Sequence, residues 1–251
     1  MELVAPAGDL EKLRYACLYG ADAVYLSDKE FGMRRRAGNF TREEIGEGIK
    51  FAHRLNKKVY AAVNIFLRQG CAAGVKEYLS FLREAGIDAI VIADPGILQM
   101  MKELGLNLTV HLSTLANVTN AESALFWEGL GITRIILARE LSLDEIREIR
   151  KQVRCELEVF VHGAMCVSYS GRCLISSYMT GRNANLGDCA QSCRWSYALV
   201  EEKRPGEYFP IDEDESGTYL LSAKDLLMVE HIEELIDAGV QRCIVGTKAL
   251  V

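Results

Sequence analysis

Four cysteines stand at Cys166, Cys173, Cys189 and Cys193, spaced C-x6-C-x15-C-x3-C within one stretch that opens "VHGAMCVSYSGRC". Four thiolates at such spacing suit a [4Fe–4S] cluster, a four-thiolate zinc or a pair of disulfides. A zinc ribbon prefers a gap of two to four residues in each pair; the x3 gap meets that and the x6 gap exceeds it. An iron–sulfur cube accepts looser spacing, because its irons are spread in space. Plain or redox-active thiols are the remaining alternative. Cys17, Cys71, Cys155 and Cys243 fall inside helix or strand patterns and are expected to be ordinary buried thiols.

Other polar residues stand at the ends of apolar runs. Asn64, Asp94, His111, Ser113, Arg139, Glu140 and His162 each close or follow one. His111 and His162 are the candidate proton carriers, since imidazole titrates near neutral pH; the competing role for each is a satisfied core histidine. Asp94, before Pro95, suits a helix N-cap, and Arg139 with Glu140 suits an internal ion pair. Arg34, Arg35 and Arg36 follow a short apolar run, and Arg172 lies among the cysteines. Guanidinium forks bind carboxylates and phosphates at two points. Arg34, Arg36, Arg172, Asn64 and Arg139 are therefore the candidate substrate-binding residues. Phe31, Phe40, Tyr169, Tyr178 and Trp195 could stack on a base or form the loop's own core.

The elements that must position these residues follow a repeat. Eight apolar, β-rich runs, at 2–7, 22–27, 58–66, 88–94, 108–114, 133–139, 156–163 and 241–246, alternate with amphipathic stretches. Such alternation predicts βα units around a parallel sheet covered on both faces. Thr41 with Glu44, and Ser142 with Glu145, form capping-box patterns. Glycine closes several units, as in "YGADAV" and "AGIDAI". Eight such units in 251 residues predict a TIM barrel, with a doubly wound open sheet as the alternative. The eighth run lies close to Val251, so the expected barrel lacks its eighth helix. The pattern makes 1–251 a single barrel domain, with 164–227 a Cys-rich loop and hairpin after strand 7. In this fold that loop lies at the C-terminal face, where active sites are built.

Composition narrows the classes. Hydrophobic residues make up 49% and charged residues 25%, ordinary for a globular chain. The formal net charge of −6 argues against a broadly basic nucleic-acid coat and leaves room for a local basic patch. No apolar run reaches the ~18 residues of a membrane helix, and the N-terminus lacks the pattern of a signal peptide. The expectation is a cytoplasmic chain with reduced thiols and no membrane partner. H-E-x-x-H fails at "HIEEL", and no G-x-S-x-G occurs. Cys166 with His162 could be drawn as a cysteine-protease pair, which leaves three cysteines unexplained.

"ELEVFVHGAMCVSYSGRCLIS" resembles the signature of the collagenase-like peptidase family U-32, carried by Glu158, Phe160, Gly163, Ala164, Cys166, Cys173 and Ser176. The resemblance extends through "LVAPAGDLEKL", "FGMRRRAGNF", "HLSTLANVTN" and "YMTGRNANLGDCAQSC", nearly the whole chain. It implies a [4Fe–4S] cluster on the four loop cysteines and O₂-independent hydroxylation. The prephenate-dependent tRNA uridine hydroxylases are the most similar group; other groups act on a ribosomal cytidine or the ubiquinone ring. The chain departs from the pattern at Leu115, where Gln is common, and at "CIVGTKALV", where K-I-E-G-R is usual. Longer relatives continue through an eighth helix and often a C-terminal β-domain. A peptidase, or a non-catalytic cluster-binding subunit pairing with a related U-32 subunit, are the alternative readings.

Overall fold

The computed structural model describes residues 1–32, 38–165, 168, 172–195, 197–210, 213–214, 217–218 and 225–246. The first seven strands are β1 (Glu2–Pro6), β2 (Ala23–Leu26), β3 (Lys58–Val63), β4 (Ala89–Ile92), β5 (Val110–Leu112), β6 (Arg134–Ile136) and β7 (Glu156–Ala164). Short pieces β8 (Ala198–Leu199), β9 (Phe209–Pro210), β10 (Glu213–Asp214), β11 (Gly217–Thr218) and β12 (Asp225–Leu227) follow, then β13 (Arg242–Val245). The helices between them are α1 (Leu10–Leu18), α2 (Arg42–Arg54), α3 (Ala72–Ala85), α4 (Gly96–Glu103), α5 (Ala121–Gly129), α6 (Leu143–Gln152), α7 (Ile175–Thr180) and α8 (Ile232–Asp237).

Strands β1 to β7 and β13 form a closed parallel barrel: β6 pairs with β7, β7 with β13 and β13 with β1. The open sheet is thereby excluded. All eight expected strands are present, each shorter than its apolar run except β7, which extends one residue beyond it to Ala164. Local signals set the helix ends. Thr41 and Ser142 each accept from the backbone N–H three residues on, and Glu44 and Glu145 return the bond. Such caps contribute about 1 kcal/mol each. Gly86 after α3 has φ +81°, a left-handed turn that glycine adopts without Cβ strain.

Two apolar layers result. Val24, Leu26, Val59, Val63, Ile90, Ile92, Leu112 and Ile135 face outward under the helices and are sealed against Leu13, Ile45, Leu79 and Ile97. Each such side chain contributes roughly 1.5–3 kcal/mol by leaving water. Inside the barrel a smaller cluster holds Val4, Ala23, Tyr60, Ala89, Val91, Ile136 and Ile244.

The floor of the interior is ionic, which local patterns did not suggest. Arg134 bridges Glu158 at 3.1 Å and Glu156 at 2.8 Å. Arg242 joins Glu2 at 2.8 Å and Glu156 at 3.2 Å, and the Tyr60 hydroxyl donates to Glu2 at 3.1 Å. Arg134 and Glu158 are almost wholly buried. Burial pushes the Glu158 carboxyl up against the opposing pull of Arg134, leaving it at about 7.

The stretch after β7 departs from a plain barrel. Strand β12 pairs antiparallel with the upper end of β7, setting Asp225, Leu226 and Leu227 opposite Ala164, Gly163 and His162. On the opposite edge of β7, β13 pairs with residues up to His162. Strands β7 and β13 crowd at Gly163 and Gly246, where a Cβ on Gly163 would lie 3.0 Å from the Gly246 Cα. Gly163 also sits at φ +133°, so glycine is required on both counts. Among the described residues of this stretch, β10 pairs antiparallel with β11, and β8 with β9.

Candidate functional site at the barrel mouth

The C-terminal ends of the strands bring several predicted residues to one face. Asn64 follows β3 and its amide donates to the Ser113 hydroxyl at 3.5 Å. Ser113 also accepts from the Leu115 N–H at 3.3 Å, capping a short 3-10 turn at Thr114–Ala116. Arg139 follows β6 and lies over the Phe160 ring, 3.9 Å from its centroid, a cation–π contact. His162 stands two residues beyond Phe160 on β7 and is exposed. Its carbonyl accepts from the Gly246 N–H at 2.7 Å, which fixes its backbone between β12 and β13. Arg139 and Phe160 form a cationic, aromatic surface beside an accessible imidazole. That combination can hold an anionic or planar ligand and move a proton. The N-cap of α4 is Pro95, and Asp94 stands one residue before it; its Oδ1 accepts from Gly96 N at 2.8 Å and its Oδ2 from Leu67 N at 3.1 Å.

His111 has a different place from the one its sequence position predicts. Its ring is 4% exposed, packs edge-on against Tyr60 at 4.8 Å and faces the ionic floor. Burial first, then the positive charges of Arg134, Arg242 and Lys58, hold its pKa down to about 2. It stays neutral across the working range and cannot carry protons at the mouth. This has a measurable consequence. The unfolded chain takes up a proton on His111 below about pH 6.5, whereas the folded chain refuses it. Stability is therefore complete above pH 6.5 and falls as pH drops, by up to about 1.4 kcal/mol per unit. His111→Asn is expected to flatten that acid slope in urea titrations between pH 4 and 6.5; a slope equal to that of the wild type refutes the assignment.

The cysteine loop is built on side-chain bonds to the backbone. The buried Ser176 hydroxyl in α7 donates to the Arg182 carbonyl at 2.8 Å and accepts from Ala190 N at 2.9 Å. Arg182 reaches the Cys189 carbonyl at 2.9 Å and Asp188 at 3.1 Å. Arg194 donates to the Met165 carbonyl at 3.1 Å, tying the far side of the loop to the end of β7. Cys193 lies in a 3-10 turn, Ser192–Arg194, preceded by Gln191 at φ +56°. That left-handed residue turns its own N–H onto the Cys189 sulfur at 3.3 Å. Cys173 and Cys193 are partly exposed, Cys189 is exposed, and none of the three is in a disulfide. Arg172 beside them is exposed. Cys166, Arg34, Arg35, Arg36 and Tyr169 lie outside the described residues.

Of the other cysteines, Cys71 is partly exposed, against the expectation that it is buried, and the remaining three contrast with the loop. Cys17, Cys155 and Cys243 are buried, and burial raises their thiols, that of Cys155 to about 12. The aromatic candidates also divide. Phe31 and Phe40 are core residues at 5% and 1% exposure, while Tyr178 and Trp195 are exposed at 89% and 49%. The Arg134–Glu158 pair went unremarked as a feature of the sequence. Its signal was the charge opening each run, in "KVYAAV", "RIIL", "ELEVF" and "RCIV", at inward-facing strand positions. Among the described residues no helix is long and apolar enough to cross a membrane.

Comparison with known proteins agrees with this architecture. A solved U32 peptidase superposes with a TM-score of 0.64 at 18% identity, covering 100% of this chain and 94% of that one, a likeness of fold. A Bacillus subtilis protein named tRNA hydroxylation protein P1 is 44% identical over 239 residues, 95% of this chain and 56% of its own length. A Methanocaldococcus jannaschii protein, described as an uncharacterized protease, is 49% identical over 242 residues, 94% of this chain and 58% of its own. The chain thus spans a little over half the length of these relatives. The model of peptidase family U32 matches residues 8–248, nearly end to end, and the chain belongs to that family.

Proposed function

We propose that this chain serves the O₂-independent hydroxylation of uridine in tRNA, with prephenate as hydroxyl donor and a [4Fe–4S] cluster on Cys166, Cys173, Cys189 and Cys193. The observation that carries the reading is the state of the loop cysteines. Three of them, Cys173, Cys189 and Cys193, are in no disulfide and are partly or fully exposed, and a backbone N–H donates to the Cys189 sulfur at 3.3 Å. Hydrogen bonds of that kind tune cluster sulfurs. The donor set therefore fits the cluster, unlike the buried thiols elsewhere. When bound, such a cluster supplies electron transfer and Lewis acidity. The 44% identity to a tRNA hydroxylation protein supports the RNA substrate.

The chain's own residues divide the remaining work. Arg139, held over Phe160, offers its guanidinium to a carboxylate of the donor. Arg172, with Arg34 and Arg36, extends the cationic surface for a second carboxylate or a phosphate. Asn64, oriented by Ser113, presents an amide to a hydroxyl or carbonyl. His162 moves the proton. The peptidase alternative lacks an H-E-x-x-H or a serine elbow in the sequence.

The test is anaerobic purification followed by incubation with prephenate and unmodified tRNA. The expected result is about four irons per chain and hydroxyuridine in digested tRNA. His162→Ala is expected to keep its iron and lose at least 100-fold in rate, the lower range for a general acid–base. One zinc per chain without iron refutes the cluster. Full hydroxylation by His162→Ala removes that histidine from the chemistry.

A further inference from the structure

The outer surface of the cysteine loop carries a second feature, and its meaning rests on the RNA reading. In α7 the buried Ser176 faces the loop interior, so Leu174 and Tyr178, one helical turn apart, face out at 72% and 89% exposure. Trp195, 49% exposed, follows the 3-10 turn against which α7 packs. Other aromatics of the chain are as exposed, Tyr19 at 83% among them; these two differ in lying within an arginine-bearing loop. The loop's charge is also distinctive. Residues 172–195 carry Arg172, Arg182 and Arg194 against Asp188 alone, a net +2 in a chain of net −6. Arg182 and Arg194 are spent on Cys189, Asp188 and Met165, which makes this surface rigid as well as basic.

We infer that Tyr178 and Trp195 form a stacking platform for unpaired bases of the RNA, next to the cysteine ligands and separate from the reacting centre. Exposed rings interleaved with arginines match what single-stranded RNA offers, flat base faces alternating with phosphates. A duplex hides its base faces and gains nothing from the rings. The platform binds an unpaired segment and holds it over the mouth while Arg172 meets its backbone.

The experiment uses the full anaerobic chain and two RNA probes of equal length, a stem-loop with an unpaired loop and a fully paired duplex. Tyr178→Ala and Trp195→Ala are each expected to weaken stem-loop binding by about 5- to 150-fold, the stacking contribution of one base. Tyr178→Phe keeps the ring and should bind as the wild type does. Duplex binding should be unchanged in all three, and so should the salt dependence of stem-loop binding, because phosphate contacts remain. Arg172→Ala should instead lower the salt slope by about one. Stem-loop binding should quench tryptophan fluorescence in the wild type and not in Trp195→Ala. Both residues are exposed, so iron content and circular dichroism should not change. Alanine variants that bind the stem-loop normally, or lose both probes equally, overturn the platform. So does self-association of the wild type that Tyr178→Ala abolishes without any RNA binding. The platform and the hydroxylase reading fail separately. RNA binding through Tyr178 without hydroxyuridine refutes only the activity. Hydroxylation with an unaltered KM for tRNA in both alanine variants refutes only the platform.

Discussion

Cys189→Ala is expected to leave anaerobically purified protein pale, with iron falling from about four per chain to nearly none. Cys173→Ala, Cys193→Ala and Cys166→Ala should do the same, and hydroxylation should vanish with the iron. The reason lies in how the loop is tied. Ser176, Arg182 and Arg194 bond the Arg182, Cys189 and Met165 carbonyls and the Ala190 amide, which holds the backbone of the Cys189–Cys193 half of the loop in place. Removing one leaves no neighbouring cysteine to replace it. Cys71→Ala and Cys155→Ala are the controls, because neither residue belongs to the loop and Cys155 holds its proton. Iron measured by inductively coupled plasma spectrometry, beside the broad absorbance near ~400 nm of a four-iron cube, gives the answer. Retention of full iron in any one loop variant removes that cysteine from the ligand set. Loss of iron in Cys155→Ala would mean that folding, and not ligation, is being read.

Arg134→Met should destabilise the fold by about 3–5 kcal/mol, the cost of leaving a buried partner charge uncompensated. Arg134 is bonded to both Glu156 and Glu158, and its guanidinium lies 5.1 Å from the Tyr60 ring centre. Without it, the fully buried Glu158 carboxyl loses its direct ion-pair partner and Glu156 loses one of its two bridges. The double variant Arg134→Met with Glu158→Leu should recover a large part of that loss, since it removes the stranded charge as well. Urea unfolding at pH 8 is the measurement. Losses that simply add in the double variant would show that the pair is not coupled. The same variants should leave iron content unchanged at low urea, because the ionic floor and the cysteine loop lie at opposite ends of the barrel.

Much of the barrel was legible because its signals are local. Capping boxes at Thr41–Glu44 and Ser142–Glu145 span three residues, and the glycine closures span one, so they can be read without knowing what packs nearby. Eight doubly covered strands announce themselves as apolar runs for the same reason. The cysteine spacing likewise pointed to the loop before any coordinates. Depth along the barrel axis is a different matter, because it depends on the register between strands far apart in sequence. His111 and His162 both stand on strands at inward positions, yet pairing of His111 with Arg134 sinks one into the ionic floor, while β7 overruns β13 and lifts the other to the rim. The three residues of β12 are too few to signal a strand, and only their pairing with His162–Ala164 makes them one. Phe31 and Phe40 are no more apolar in sequence than Trp195. Tertiary packing closed helices over the first two and left Tyr178 and Trp195 in water, because α7 is anchored inward through Ser176 and has nothing above it among the described residues. The sequence by itself determined the repeat and the strands; the closing of the barrel decided which of the polar and aromatic side chains lie exposed at its surface.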